Sequence, residues 1–337
     1  MLDNIRAHRE RGLVPTILFL LVFGIALSLG AEVCAQEEDA ETAQAETVFV
    51  QEGDEAPVAY SAVRDSGSAE SLMYHGLAHA RGEGRPQDFV KAYDYFTQAA
   101  ELGNAQAQFY LGVLYATGRG VETDRTKAVM WYRKAVEQGN TEAMLRLAAL
   151  LTSQADEDQN NPSEAMSLYQ KAAGQGDVRG LNGQAYLYMK GIGVTQNYSM
   201  AMDIYLIAAQ KGDALAQSRV GFMFARGLGV KTDYRLAFEW MLSAAEQGNV
   251  FAQSFIGSMY ERGRGVRVDF AQALNWYRKA AEKEYAFAEF RIGALYEEGR
   301  GVRADEKEAL EWYRKAASRG SDAARNRLIE LEHSKTN

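Results

Sequence analysis

The sequence predicts an all-α fold, an α-solenoid of seven two-helix repeats of about 36 residues followed by a capping helix. Three observations predict it. The stretch "GRGVRVDFAQALNWYRKAA" from Gly263 recurs as "GRGVRADEKEALEWYRKAA" from Gly299, and Trp131, Trp240, Trp276 and Trp312 fall into the same register. Tyr95, Leu168 and Ile204 fill the remaining slots, with the third unit one residue longer. Each unit carries two runs of apolar residues at helical spacing. Glycine pairs stand between the two runs at one fixed place. A chain of 337 residues with 47% hydrophobic and 24% charged residues and only 4 prolines suits a helical globular body.

The units begin near residues 68, 105, 141, 178, 214, 250 and 286. In the sixth, Ala252, Phe255, Ile256, Met259 and Tyr260 mark a first helix, and Ala273, Trp276, Tyr277, Ala280 and Ala281 a second. Gly118/Gly120, Gly191/Gly193, Gly227/Gly229, Gly263/Gly265 and Gly299/Gly301 are expected to end the first helix in a left-handed cap. Asp124, Asn197, Asp233, Asp269 and Asp305 then stand where a side chain should accept the free amides of the second helix. Gly-Asn or Gly-Asp closes most units, as at Gly103-Asn104, Gly139-Asn140, Gly176-Asp177, Gly212-Asp213 and Gly248-Asn249. Gly76, Gly112, Gly221, Gly257 and Gly293 lie inside the first helix, and Ala148 and Ala185 take that slot in units three and four, so the position demands smallness for close packing. Unit three replaces the glycine loop with "SQADEDQNNP". A last helix, "DAARNRLIELEH", follows Ser321.

The stretch "AQFYLGVLYATGRGVETDRTKAVMWYRKAVEQGN" resembles a Sel-one-like repeat, a relative of the tetratricopeptide repeat. The resemblance spans Ser68 to Ser321, is best in units two, six and seven, and is weakest in unit three. It implies a right-handed superhelix whose concave side holds other proteins. Members of the family serve as adaptors in secretion, quality control, envelope biogenesis and host interaction.

The two ends differ from the array. Arg6, Arg9 and Arg11 precede an uncharged run from Leu13 to Ala31, and Val33-Cys34-Ala35 offers small residues to a signal peptidase, so residues 1–35 read as an export signal with a mature start at Gln36. The same run is long enough to stay as a membrane anchor, and either outcome places the rest of the chain outside the cytoplasm, in the periplasm or beyond the cell. Glu32 and Val33 fit a lipidated Cys34 poorly. Cys34 is the chain's single cysteine, so a protein cleaved after Ala35 has no thiol chemistry. Residues 36–67 hold nine acids and one arginine and read as an acidic, disordered linker. Four of the 37 basic and twelve of the 45 acidic residues precede Ser68, so the array is neutral and offers no field for nucleic acid or an anionic membrane. Membrane contact is expected only through residues 13–31, if they are retained.

Few residues carry chemistry. His75 and His79 share a helix face as two metal ligands would, but Gly76 stands where an HExxH motif has its glutamate, and both histidines fall in core slots. Asp156, Asp158 and Asn160 alternate like a calcium loop without its glycine or closing glutamate. The GxG pairs follow helices, not strands, which removes a nucleotide reading. No cofactor or metal is expected, and no nucleophile, base and orienting group escape their repeat slots to converge. The face of each first helix opposite Ala252 and Ile256 is more informative. It reads Phe109, Val113, Ala116; Leu145, Ala149, Thr152; Asn182, Tyr186, Met189; and Ser218, Phe222, Ala225, turning polar at Ser254, Ser258, Glu261 and Glu297, with Phe290 as an exception. From it Phe109, Val113, Leu145, Tyr186, Met189 and Phe222 are expected to form a concave partner-binding groove. The other reading of the row is burial against neighbouring repeats. The function expected is an exported, non-catalytic scaffold or adaptor for a protein or peptide. The alternative is a cell-wall-directed hydrolase or glycan-binding protein, a chemistry linked to some members of the family.

Overall fold

The computed structural model describes residues 67–153 and 161–336. Fifteen helices and no strand occur among them. Each repeat supplies a first helix, A, and a second, B. They are α1 (Ala69–Arg81) and α2 (Phe89–Glu101), α3 (Ala105–Thr117) and α4 (Arg125–Glu137), α5 (Thr141–Thr152) and α6 (Pro162–Gly174), and α7 (Val178–Lys190) and α8 (Tyr198–Gln210). There follow α9 (Ala214–Arg226) and α10 (Tyr234–Glu246), α11 (Val250–Arg262) and α12 (Phe270–Ala281), α13 (Ala286–Glu298) and α14 (Glu306–Ser318), and the terminal α15 (Asp322–Thr336). The fold is an all-α solenoid of seven helical pairs. The export segment, Cys34, all but the last residue of the acidic linker, and the Asp156–Asn160 loop lie outside the described residues. Among the described residues no helix is long and apolar enough to cross a membrane.

Chain contacts divide the described residues into two compact units, 67–196 and 197–336, with the boundary between the helices of repeat four. Within each, every helix packs on the helix before it and the helix after it in sequence. This is the contact pattern of a stack whose members each rest on their neighbours.

Local chemistry sets the helix ends. Thirteen of the fourteen repeat helices open on Ser, Asn or Asp whose side chain accepts a hydrogen bond from a backbone N–H two or three residues on. Asp124, Asn197, Asp233, Asp269 and Asp305 are among them, as their spacing predicts. The first glycine of each pair caps its A helix in the left-handed region, at φ 66° for Gly263. The glycines that close the repeats lie one residue beyond the expected cap: Leu102 or Gln138 caps the B helix, and Gly103 or Gly139 follows with positive φ. At the sixth junction this glycine is Glu284 (φ 63°), the single non-glycine with positive φ among the described residues, and Tyr285 after it gives α13 no side-chain cap.

The interior glycines pack as their slot requires. A Cβ at Gly257 would lie 2.8 Å from Tyr277 Cδ1, and one at Gly293 2.7 Å from Tyr313 Cδ1, so the A helix is small where the B-helix ring lies flat on it. The second glycine of each pair has a role that the cap alone does not explain. A Cβ on Gly265 would meet the Tyr234 carbonyl oxygen at 2.0 Å, and one on Gly120 would meet that of Phe89 at 2.3 Å. The loop therefore seats on the first turn of the preceding repeat's B helix. The arginine between the glycines completes the seat: Arg119 lies 5.4 Å over the Phe89 ring, and Arg264 5.3 Å over Tyr234.

Candidate functional site

The six side chains expected to line a groove divide into two groups. Phe109, Val113 and Met189 are 1%, 3% and 9% exposed and belong to the core, which corrects their placement on a free surface. The Phe109 ring packs on Tyr110 (5.2 Å between centroids) and Tyr132 (6.0 Å). Leu145, Tyr186 and Phe222 are half-buried. Lys190 lies 5.8 Å over the Tyr186 ring, and Arg226 5.5 Å over that of Phe222, which also meets Phe251 and Phe255 edge-on. An apolar ring with a cation on it and one side towards water has the composition of an interface anchor.

The expected turn to a solvated face beyond repeat five also needs correcting. Ser218 and Ser254, in the slot of Phe109, are 0% and 3% exposed, and Ser218 Oγ donates to Leu215 O at 2.8 Å. That slot is interior with serine as with phenylalanine there, while Leu145 and Phe290 in the same slot of repeats three and seven are half-buried. A helical wheel identifies the face that meets the partner helix of the same repeat, but in a stack a second face of the A helix meets the next repeat.

Glu261 and Glu297 are not a solvated rim either, for each is the centre of a bonded triad. Tyr277 Oη donates to Glu261 Oε2 at 2.8 Å, and Arg291, one repeat on, donates to both oxygens of Glu261, Nε at 3.2 Å. Tyr313 and Arg327 hold Glu297 in the same way, at 2.7 Å from the hydroxyl and 3.1 Å from Nε. Burial and the adjacent carboxylate push the phenols of Tyr277 and Tyr313 well above their ordinary range. The Arg327 hydrogen bond, aided by that of Tyr313 and opposed by burial, holds the Glu297 carboxyl below the usual range. A forked guanidinium on a planar carboxylate is a directional contact, so the triads fix how one repeat sits on the next.

A second set of contacts ties the end of the B helix to the A helix within a repeat. Gln138 Nε2 donates to Gln108 Oε1 at 2.8 Å, and Gln247 Nε2 to Gln217 Oε1 at 2.7 Å. In the corresponding slots of repeat seven Arg319 Nε donates to the buried Glu289 at 3.0 Å. Sequence reasoning missed these pairs and the triads, and the signal available for them is the register itself, comparing slots 30 residues apart.

His75 and His79 both lie against the Tyr95 ring, at 5.3 and 5.5 Å, in the core slots their register assigns. Arg85 donates to His79 Nε2 at 3.1 Å, which leaves the proton on a buried Nδ1. No group of three or more His, Cys, Asp or Glu among the described residues is placed to hold a metal ion.

Stacked helical pairs joined by slot-to-slot contacts define the class of repeat scaffolds built for protein–protein interaction. A family model for the Sel1 repeat matches residues 69–104, 105–140, 141–177, 182–213, 214–249, 250–285 and 286–321, and the chain belongs to that family. Solved structures similar to it include two that cover most of this chain. A Sel1 repeat protein from Oxalobacter formigenes shares 28% identity, with 97% of this chain and 99% of that one covered and a TM-score of 0.67. The protein c5321, a protective antigen present in uropathogenic Escherichia coli strains and displaying an SLR fold, shares 30% identity, with 90% and 67% covered and a TM-score of 0.62. No curated protein matches.

Proposed function

We propose that this protein is an exported, non-catalytic scaffold that holds a protein or peptide against the A-helix face, with Leu145 and Tyr186 as anchors in the first compact unit and Phe222 as an anchor in the second. One observation carries the proposal. These large apolar side chains stay half-exposed on a face where Phe109, Val113, Met189 and Ser218 are interior, as expected where a surface is kept apolar for a partner. That a neighbour 30% identical over nine-tenths of the chain is a protective antigen supports the exported location.

Three experiments test this reading. Crosslinking in the native cell, followed by identification of the captured species, is expected to return a polypeptide from the envelope or the medium. Tyr186→Ala is expected to weaken that capture about tenfold or more, as loss of an aromatic anchor does at interfaces, while the melting temperature moves little. A steep fall in melting temperature would show that Tyr186 is a core residue and remove it as an anchor. Purified protein is expected to release nothing from cell-wall fragments.

A further inference from the structure

The triads of repeats six and seven have a counterpart that lacks one member. In each triad the glutamate precedes its tyrosine by 16 residues and its arginine by 30. The same spacing in repeat two gives Ala116, Tyr132 and Arg146. The tyrosine is seated alike in both places, since a Cβ at Gly112 would meet Tyr132 Cδ1 at 2.4 Å as one at Gly257 meets Tyr277 Cδ1 at 2.8 Å. The arginine also stands alike: the positive charge of Arg146 acts on the Tyr132 phenol as that of Arg291 acts on Tyr277. Only the carboxylate is absent, and the Ala116 methyl stands at the root of the space that Glu261 and Glu297 fill elsewhere.

The consequence is an unpaired cation. Arg146 is half-buried and makes no hydrogen bond or ion pair among the described residues, and the Tyr132 hydroxyl makes no hydrogen bond among them. The corresponding slots of repeat four hold Met189, Tyr205 and Arg219, but that tyrosine and that arginine have interactions of their own; the first and fifth junctions carry no cation. At the first, Ala80, Phe96 and Tyr110 form an apolar stack with the rings 5.0 Å apart, and at the fifth the three slots hold Ala225, Met241 and Phe255. A guanidinium partly withdrawn from water gains most from a planar anion that accepts two of its N–H groups.

We propose that Arg146, with the Tyr132 hydroxyl, is a receptor for a carboxylate that a polypeptide partner supplies in place of the missing glutamate. One arginine on an otherwise neutral array suits a single carboxylate and not a polyphosphate or nucleic acid backbone, which needs several cations. Leu145, half-buried, and Ala149, exposed, lie on the same helix as Arg146, so the anion is expected to arrive on a chain with apolar groups beside it. The proposal names the chemistry of the partner in the scaffold reading, and it rests on that reading for the ligand's being a polypeptide.

The test follows the Nε–Hε resonance of Arg146, assigned by its absence in Arg146→Gln, in the full chain. Acetate is expected to shift it saturably, and acetamide, of the same shape without charge, to leave it in place. Ala116→Glu builds the carboxylate into the chain. It is expected to move the resonance permanently, raise the melting temperature and weaken the acetate response roughly tenfold or more. N-acetyl-leucine carries a chain-terminal carboxylate and N-acetylglutamate α-amide a side-chain one, and the tighter of the two assigns the source. An Arg146 resonance indifferent to acetate, or equally shifted by acetamide, overturns the proposal, and the wild-type titration decides this even if Ala116→Glu does not fold. If that happens while a partner is still captured in cells, the receptor is lost and the scaffold reading stands. A positive titration with no polypeptide captured leaves the receptor and removes the scaffold.

Discussion

His79 pairs through its ring nitrogen with a permanent cation, which makes the first repeat sensitive to acid. Burial lowers the His79 pKa below the ordinary 6.5, and the charges of Arg85 and Lys91 lower it further, with Asp88 opposing and His75 assisting weakly. The Tyr95 ring adds no charge that would offset them. In the window between the folded and unfolded pKa the unfolded chain binds more protons. Stability from this group is therefore complete above about pH 6.5 and declines as the pH falls through the lowered folded value. Amide protection in α1 and α2 is expected to weaken as the pH falls below about 6.5. In His79→Gln, whose side chain can still accept from Arg85 but does not titrate, that slope should flatten. An unchanged slope in the variant would assign the effect to another group.

At the scale of the element, the junction before α13 breaks the pattern of the others. Glu284 occupies a left-handed position that the other described repeat junctions give to glycine, at a cost of roughly 1–2 kcal/mol for a residue with a Cβ. Its carboxylate meets Arg319 at 2.7 Å, but that pair is largely exposed and contributes little. Glu284→Gly is expected to stabilise the protein by about 1 kcal/mol in urea unfolding, and a loss of stability would mean that the Arg319 contact outweighs the backbone strain. The position illustrates what the sequence made legible. Helix starts at Asp124, Asp233, Asp269 and Asp305 and ends at Gly227, Gly263 and Gly299 could be read directly, because capping chemistry acts within a few residues. The interior slots of Gly257 and Gly293 could be read from their smallness. Phe109, Val113 and Met189 were misplaced because one helical wheel contains no information about the next repeat. The Glu261–Arg291 pair was hidden for the same reason, since its partners are 30 residues apart and each alone looks like a surface charge.

Across the whole molecule, contacts run almost entirely between helices that are neighbours in sequence, so stability is expected to be a sum of local terms and not one indivisible transition. Trp276 tests this within the second compact unit. It is 8% exposed on α12, with the Lys279 ammonium 3.8 Å over its ring, and α12 packs on α11 before it and α13 after it. Trp276→Ala removes most of a large buried side chain and should cost about 3–5 kcal/mol. If repeats rest on neighbours, hydrogen exchange should quicken first in α11 and α12, then in the helices of repeats five and seven, with α3 to α5 keeping most of their protection. The triads bear on how far the damage runs, because Tyr277, next to the mutated site, also bonds Glu261 and through it Arg291 of the following repeat. Repeat seven is thus expected to loosen more than repeat five. Equal loss of protection from α1 to α15 would instead describe a single cooperative body and contradict additive repeat energetics.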